Sequence, residues 1–326
     1  MPEITLVEAV NLALARAMSE DARVLVLGED VGTDGGVFRA TQGLLSRFGP
    51  DRVHDTPLAE AAIAGIAVGL AAQGFRPVAE IQFDGFMLPT IDQMASHAAR
   101  LRTRTRGRLT CPMVLRAPYG GGIHAPEHHS DSVETFFAHI PGLRVVIPSS
   151  PLRGYGLLLS AIRDPDPVVF LEPKRLYRSR KEAVADDGAG LPLDACTRLR
   201  DGHDVTLVAW GAMVSETLAA ADALARDGIS ASVIDVETLK PLDAGPILRS
   251  VEATGRCVIV HEAPLTAGFG AEIAARVAEH ALLSLLAPIR RVAGFDCVMP
   301  LPRLETSYLP SVARILAAVR DVMSYR

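Results

Sequence analysis

An α/β fold, with a doubly wound parallel sheet followed by a smaller C-terminal α/β domain, is what this sequence predicts, and three observations predict it. Short runs of Val, Leu and Ile recur along the chain with helical periods between them, the alternation expected of strand and helix in a parallel sheet. The runs are apolar throughout rather than at every second residue, as in strands buried on both faces. The chain has 326 residues, 49% of them hydrophobic, which is too long for one ordinary core and apolar enough for two.

The elements follow in order. Thr5 and Glu8 have capping-box spacing ahead of an amphipathic helix over 6–18. VLVLG at 24–28 is the first buried strand, and further strands are predicted at 76–81, 112–117, 144–148 and 167–172, with helices over 59–73, 90–103 and 151–163. Composition turns charged and turn-rich between Lys174 and Asp201. The expected division is a first domain over 1–185, a linker over 186–200 and a second domain over 201–326. Strands of the second domain are expected at 204–210, 229–236, 257–263 and 289–295. Ligands of such sheets sit beyond the carboxyl ends of the strands, where Glu29 and Asp30, the segments 82–86 and 119–129, and Ser149 with Ser150 fall.

Several function classes are excluded. A net charge of -5 without a long block of one sign gives no nucleic-acid groove. The densest basic stretch, RLRTRTRGR at 100–108, reads as a solvated or subunit-facing segment. Cys111, Cys196, Cys257 and Cys297 are scattered, with no metal-site spacing, and read as reduced thiols. The N-terminus carries no basic leader or secretory apolar core, and the uncharged stretch 61–74 is too short to span a bilayer. A cytoplasmic protein without membrane partners is expected.

Glu60 heads that uncharged stretch. A carboxylate carried by such a helix into an apolar interior has its pKa pushed up and is suited to share a proton with a ligand nitrogen. The plainer alternative is a first-turn acid favoured by the helix dipole. The Gly-rich stretch YGGGIHAPEHHSDS at 119–132 has neither GxGxxG order nor a GK[ST] ending. Its histidines, His124, His128 and His129, lack the fixed spacing of a helix-borne metal site, which leaves proton transfer or a structural role.

In order along the chain, GEDV (28–31), GGVFRAT (35–41), DTPLAE (55–60), AEIQFDGFMLPTIDQM (79–94), HHSDS (128–132), FFAHIPGLRVVIPSSP (136–151), FLEPKRLYR (170–178), DVTLVAWG (204–211) and HEAPLTAGFGAEI (261–273) carry a specific signal. Together they resemble the β subunits of the decarboxylase components of 2-oxo acid dehydrogenases, thiamine diphosphate enzymes of transketolase-like fold. FLEPKRLYR and HEAPLT look most like the branched-chain 2-oxo acid enzymes, with pyruvate or acetoin dehydrogenase as the alternative. A non-catalytic docking subunit is a rival of another class. A nicotinamide dehydrogenase is disfavoured because no strand is followed by GxGxxG.

The resemblance implies roles. Glu60 corresponds to the glutamate that hydrogen-bonds the pyrimidine ring nitrogen of thiamine diphosphate, so that the 4'-amino group can deprotonate the thiazolium carbon. Phe86 falls where the family sets an aromatic ring, often Tyr, against the pyrimidine. Leu58 and Gln82 line that pocket, and Glu29 is the acid of GED beside it. His129 matches a histidine assigned to proton handling at acyl transfer to a lipoyl domain, and His124 is its neighbour. Asp164 and the main chain of 111–114 match a structural potassium site. The GDG and NN elements that hold magnesium and diphosphate are missing, and Asn11 is the only Asn. The resemblance therefore implies an α subunit supplying them, in an α2β2 heterotetramer that serves a lipoyl acyltransferase core.

Overall fold

The run Val24–Gly28 (β1) is buried along its whole length in the computed structural model, which describes residues 1–325. It lies in the first of two units, made of Met1–Tyr119 and Phe136–Leu193. The other strands of this unit's parallel sheet are Val53–Asp55 (β2), Arg76–Glu80 (β3), Val114–Tyr119 (β4), Arg144–Val146 (β5) and Val168–Pro173 (β6). Their order is β5-β6-β4-β3-β1-β2, and every pairing among them is parallel. The predicted doubly wound parallel sheet is present. Three-residue β2 is too short to announce itself by periodicity.

Helix α1 (Leu6–Glu20) starts at the expected capping box, with the Thr5 backbone N–H and hydroxyl both donating to Glu8 Oε2 at 2.7 Å. Glu60–Ala72 (α2) and Pro151–Arg163 (α3) also form where periodicity places them. Gly154 of α3 faces Leu6 of α1 so closely that a β-carbon there would clash. The helix expected over 90–103 is broken instead into a 3-10 segment Asp84–Thr90 containing Pro89, a π turn Gln93–His97, a 3-10 turn Ala98–Arg100 and a single α turn Leu101–Arg104. Proline removes a donor and the π turn adds a residue to the spiral, so a single 3.6-residue period is not kept.

Polar groups are also packed inside this unit. Arg116 of β4 lies between its strand neighbours: its Nε and Nη2 donate to Glu172 of β6 at 2.6 and 2.7 Å, and Nη1 pairs with Glu80 of β3. Tyr177 Oη donates to Glu172 Oε2 at 2.6 Å. All four side chains are buried. Burial raises the Glu80 carboxyl above its ordinary range, with Arg116 working against the rise.

The second unit consists of Gly120–Thr135 and the chain from Asp194 onward. The strands of its five-stranded sheet are Thr197–Arg200 (β7), Val205–Ala209 (β8), Ala231–Asp235 (β9), Cys257–Pro264 (β10) and Arg290–Gly294 (β11), in the order β11-β10-β8-β9-β7, parallel except for β7. Two boundaries therefore differ from the sequence reading. Thr197–Arg200, read as linker, is an edge strand; its TRLR is half exposed and charged, so it carries no apolar signal. The Gly-rich loop 120–135 groups with the second unit although it interrupts the first in sequence. Helices Met213–Arg226 (α4), Gly245–Thr254 (α5), Gly270–Ala281 (α6), Pro302–Tyr308 (α7) and Val312–Met323 (α8) complete the unit. Among the described residues no helix is long and apolar enough to cross a membrane.

Candidate functional site

Sheet order gathers the first unit's site. β1 lies between β2 and β3, with Gly28 opposite Asp55 on one side and Glu80 on the other. The segments leaving the carboxyl ends of these three adjacent strands carry Glu29, Glu60 and Gln82 to Phe86 respectively. The Thr56 N–H donates to the Gly28 carbonyl at 3.0 Å, tying the approach to Glu60 to the end of β1. Asp55 is an anchor the sequence did not single out: its carboxylate accepts the Gly32 N–H at 2.6 Å and the Thr33 N–H and hydroxyl at 3.1 and 3.0 Å. Gln82 Nε2 donates to Asp30 Oδ2 at 2.9 Å. The ring of Phe86 stands edge-on to Phe83, centroids 6.1 Å apart, and Phe83 in turn meets Phe38 at 5.5 Å.

The desolvated acid of this site is Glu29, not Glu60. Glu29 is 3% exposed, and neither carboxylate oxygen makes a well-formed hydrogen bond. Burial first, then the charges of Glu60 and Asp30, push its pKa from 4.5 to about 6, with the Ala59 backbone N–H working the other way. Glu60, expected to enter the interior, is half-buried as the first residue of α2. Its helix buries only the stripe Ile63, Ala64, Ala67 and Ala71, while Ala61, Ala62, Ile66 and Gly69 face outward. Leu58, predicted to line the pocket, is 81% exposed in this chain.

Glu29 makes a prediction about stability. A folded-state pKa above the unfolded value means that its contribution is intact below pH 4.5 and is lost as pH rises through about 6. Glu29→Gln removes the titration. Relative to the native chain, the variant should gain about 2 kcal/mol on going from pH 4 to pH 8, the free-energy equivalent of a pKa moved from 4.5 to about 6. Urea denaturation at both pH values measures this, and a pH-independent difference would show that Glu29 is not desolvated.

In the second unit the sequence-predicted histidines sit on the loop 120–135. Glu127–His129 is a short 3-10 turn in which the His129 N–H donates to the Pro126 carbonyl at 2.9 Å, and His129 Nδ1 is buried. His128 Nδ1 lies 3.5 Å from Asp131 Oδ2. His124, 61% exposed, has its Nδ1 2.8 Å from Oε2 of Glu305 on α7. Glu305 is almost fully buried, and sequence reasoning missed it because an acid that binds backbone N–H groups belongs to no motif. Further along the unit, Trp210 and His261 stack in parallel with centroids 5.1 Å apart, and burial pushes the His261 pKa down to about 4.

Asp164, expected near a potassium ion, has its carboxylate engaged by Arg144 Nε at 3.0 Å and by the Asp166 N–H at 2.8 Å. A cation there would rest on main-chain carbonyls. Among the described residues no cluster of His, Cys, Asp or Glu has metal-holding geometry.

Comparison with known proteins fits this architecture. Residues 2–180 match the family model "Transketolase, pyrimidine binding domain" and residues 194–315 match "Transketolase, C-terminal domain". The chain is 48% identical over 325 residues to the pyruvate dehydrogenase E1 component subunit beta of Bacillus subtilis, covering 100% of both chains. The corresponding subunit of Staphylococcus epidermidis is 47% identical at the same coverage. Among solved structures, a split gene transketolase described as an inactive beta4 tetramer shares the fold, with a TM-score of 0.82 over 99% of each chain at 24% identity. The strand-end acids and aromatics thus lie within a pyrimidine-binding domain, and the chain belongs to the E1 β subunits of the 2-oxo acid dehydrogenases, a thiamine diphosphate-dependent family.

Proposed function

We propose that this chain is the β subunit of a pyruvate dehydrogenase E1 component, which decarboxylates pyruvate and transfers the acyl group to a lipoyl domain. The relatives at 46 to 48% identity are named for pyruvate, which favours it over the branched-chain 2-oxo acids expected from FLEPKRLYR and HEAPLT. The observation that carries the reading is the electrostatic coupling of Glu60 to buried Glu29 at the ends of β2 and β1, with Phe86 on the segment that follows neighbouring β3.

Those residues fit an aminopyrimidine. Two acids at one edge, one of them buried and without a well-formed hydrogen bond, suit a ring that carries N–H groups. Phe86 offers an apolar ring face without the hydroxyl of a Tyr. Glu60 would hold the proton at the pyrimidine ring nitrogen, with Gln82 and Leu58 at the pocket's edges. Bound there, thiamine diphosphate supplies the carbanion chemistry that releases carbon dioxide from the 2-oxo acid. His129 would deliver a proton from Nε2 to the thiolate left when the lipoyl dithiolane opens and its other sulfur takes the acyl group.

The diphosphate and Mg2+ would be held by an α subunit, in an α2β2 cytoplasmic assembly that works with a lipoyl acyltransferase core. The outward face of α2, with Ile66 at 52% exposure, and the exposed Leu58 just before the helix support a covering partner here. The test is co-expression with the α subunit and turnover of pyruvate against branched 2-oxo acids. The complex should prefer pyruvate, and the single chain should neither retain thiamine diphosphate nor release carbon dioxide. Robust decarboxylation by the single chain overturns the two-subunit reading, and faster turnover of a branched substrate restores the branched-chain one.

A further inference from the structure

Glu305 has a place in the second unit that packing alone does not require. The geometry points to it as the positioning residue that fixes the histidine loop 120–131, and through the loop the placement of His129. Glu305 Oε1 accepts the Gly122 N–H at 2.7 Å. Its Oε2 accepts the His124 N–H at 3.0 Å and meets His124 Nδ1 at 2.8 Å. One buried carboxylate therefore binds three N–H positions within three residues of the loop. A carboxylate is acceptor-only, and it is the one side-chain group that serves three donors without presenting a donor of its own.

The rest of the loop conforms to that anchor. His124 has φ of 60°, a left-handed conformation that a non-glycine residue keeps only when its surroundings enforce it. Gly121 lies against α7 so closely that a β-carbon would stand 2.9 Å from Met299 Cε and 3.3 Å from Glu305 Oε1. At the far end the Gly120 N–H donates to the Asp131 carbonyl at 3.1 Å, closing the loop on itself. Between these fixed points the turn 126–129 presents His129.

This role rests on the proton-transfer reading of His129, and the experiment separates the two. Glu305→Gln keeps size but turns one acceptor into an NH2 group, which opposes the N–H of Gly122 or His124. In the reconstituted α and β complex, it should lower acylation of a free lipoyl domain about 10- to 100-fold, the effect of a misplacement near 1 Å. Pyruvate decarboxylation followed with an artificial electron acceptor should change much less. Glu305→Asp, which retains the carboxylate, should recover part of the loss, and Glu305→Gln should add little to His129→Ala. Amide hydrogen exchange at Gly122 and His124 should accelerate in Glu305→Gln while exchange in β8 and β10 stays as in the native complex.

Unchanged exchange at these two amides overturns the anchor, and so does a Glu305→Gln loss that multiplies fully with that of His129→Ala. Should His129→Ala keep full lipoyl acylation, the proton-transfer reading fails, while the exchange measurement still decides whether Glu305 holds the loop.

Discussion

Glu60→Gln in the reconstituted complex is expected to lower turnover by about 10²- to 10⁴-fold, the range for loss of a positioned proton-transfer group, with assembly unchanged. Gln preserves the volume at the start of α2, and the buried stripe of that helix begins at Ile63, so packing is not disturbed. What it loses is the anionic acceptor. A carboxylate stabilises a proton on the ring nitrogen it faces, whereas an amide oxygen without charge holds it far more weakly. The deficit should appear in kcat and kcat/KM together, because the interaction is required by the reacting state rather than by ground-state binding. Exchange of the cofactor's thiazolium proton, followed by NMR, isolates the step. An unchanged exchange rate would leave Glu60 as an ordinary first-turn acid at a helix N-terminus.

That Glu29 and the segment from Gln82 to Phe86 leave one edge of the sheet was legible because each follows an apolar strand run, whereas Glu60 was singled out by its uncharged helix, not by a strand before it. Glu29 was visible as a neighbouring acid, but not as the desolvated one. Its burial depends on β1 being flanked by β2 and β3, and β2 is too short to read. Glu60 deceived in the other direction: an uncharged helix resembles a fully packed one in sequence, yet α2 turns Ala61, Ala62 and Ile66 outward. Strands buried on both faces were readable almost to the residue. Edge strand β7 and the broken turns over 84–104 were not, since neither keeps an apolar period. Asp55 and Glu305 bind main-chain N–H groups, and partners of that kind leave no side-chain pattern to recognise.

Arg116→Met is expected to destabilise the chain by about 3–5 kcal/mol at neutral pH, the typical result of removing one member of a buried ionic set. Met fills most of the volume, so the loss comes from charge. Glu80 and Glu172 remain inside three adjacent strands, with the Tyr177 hydroxyl on Glu172 and no guanidinium between them. Glu80 already has a raised pKa through burial, and without Arg116 it rises further. A raised folded-state pKa makes the deficit largest at high pH and smaller as acid neutralises the carboxyls. Urea titrations at pH 8 and pH 5 measure both effects. Replacing Glu80 and Glu172 by Leu alongside Arg116→Met should restore much of the loss, because the penalty belongs to uncompensated charge. A single variant within about 1 kcal/mol of the native chain, in the range of an exposed pair, would show that the cluster is hydrated rather than sealed.

The way the chain visits its two units sets an order of assembly. During synthesis the first unit has all its residues once Leu193 has emerged, but Gly120–Thr135, already made, belongs to a unit whose strands are still to come. Its anchor, Glu305, is made only after all five strands of the second unit's sheet. The segment carrying His124 and His129 therefore waits for its Glu305 anchor until α7 has been made. A ribosome that stops before α7 releases a chain whose first unit has every strand of its own, while the histidine loop lacks the Glu305 carboxylate. Such a product would pass a test for a folded pyrimidine-binding domain and still lack the anchored histidine loop.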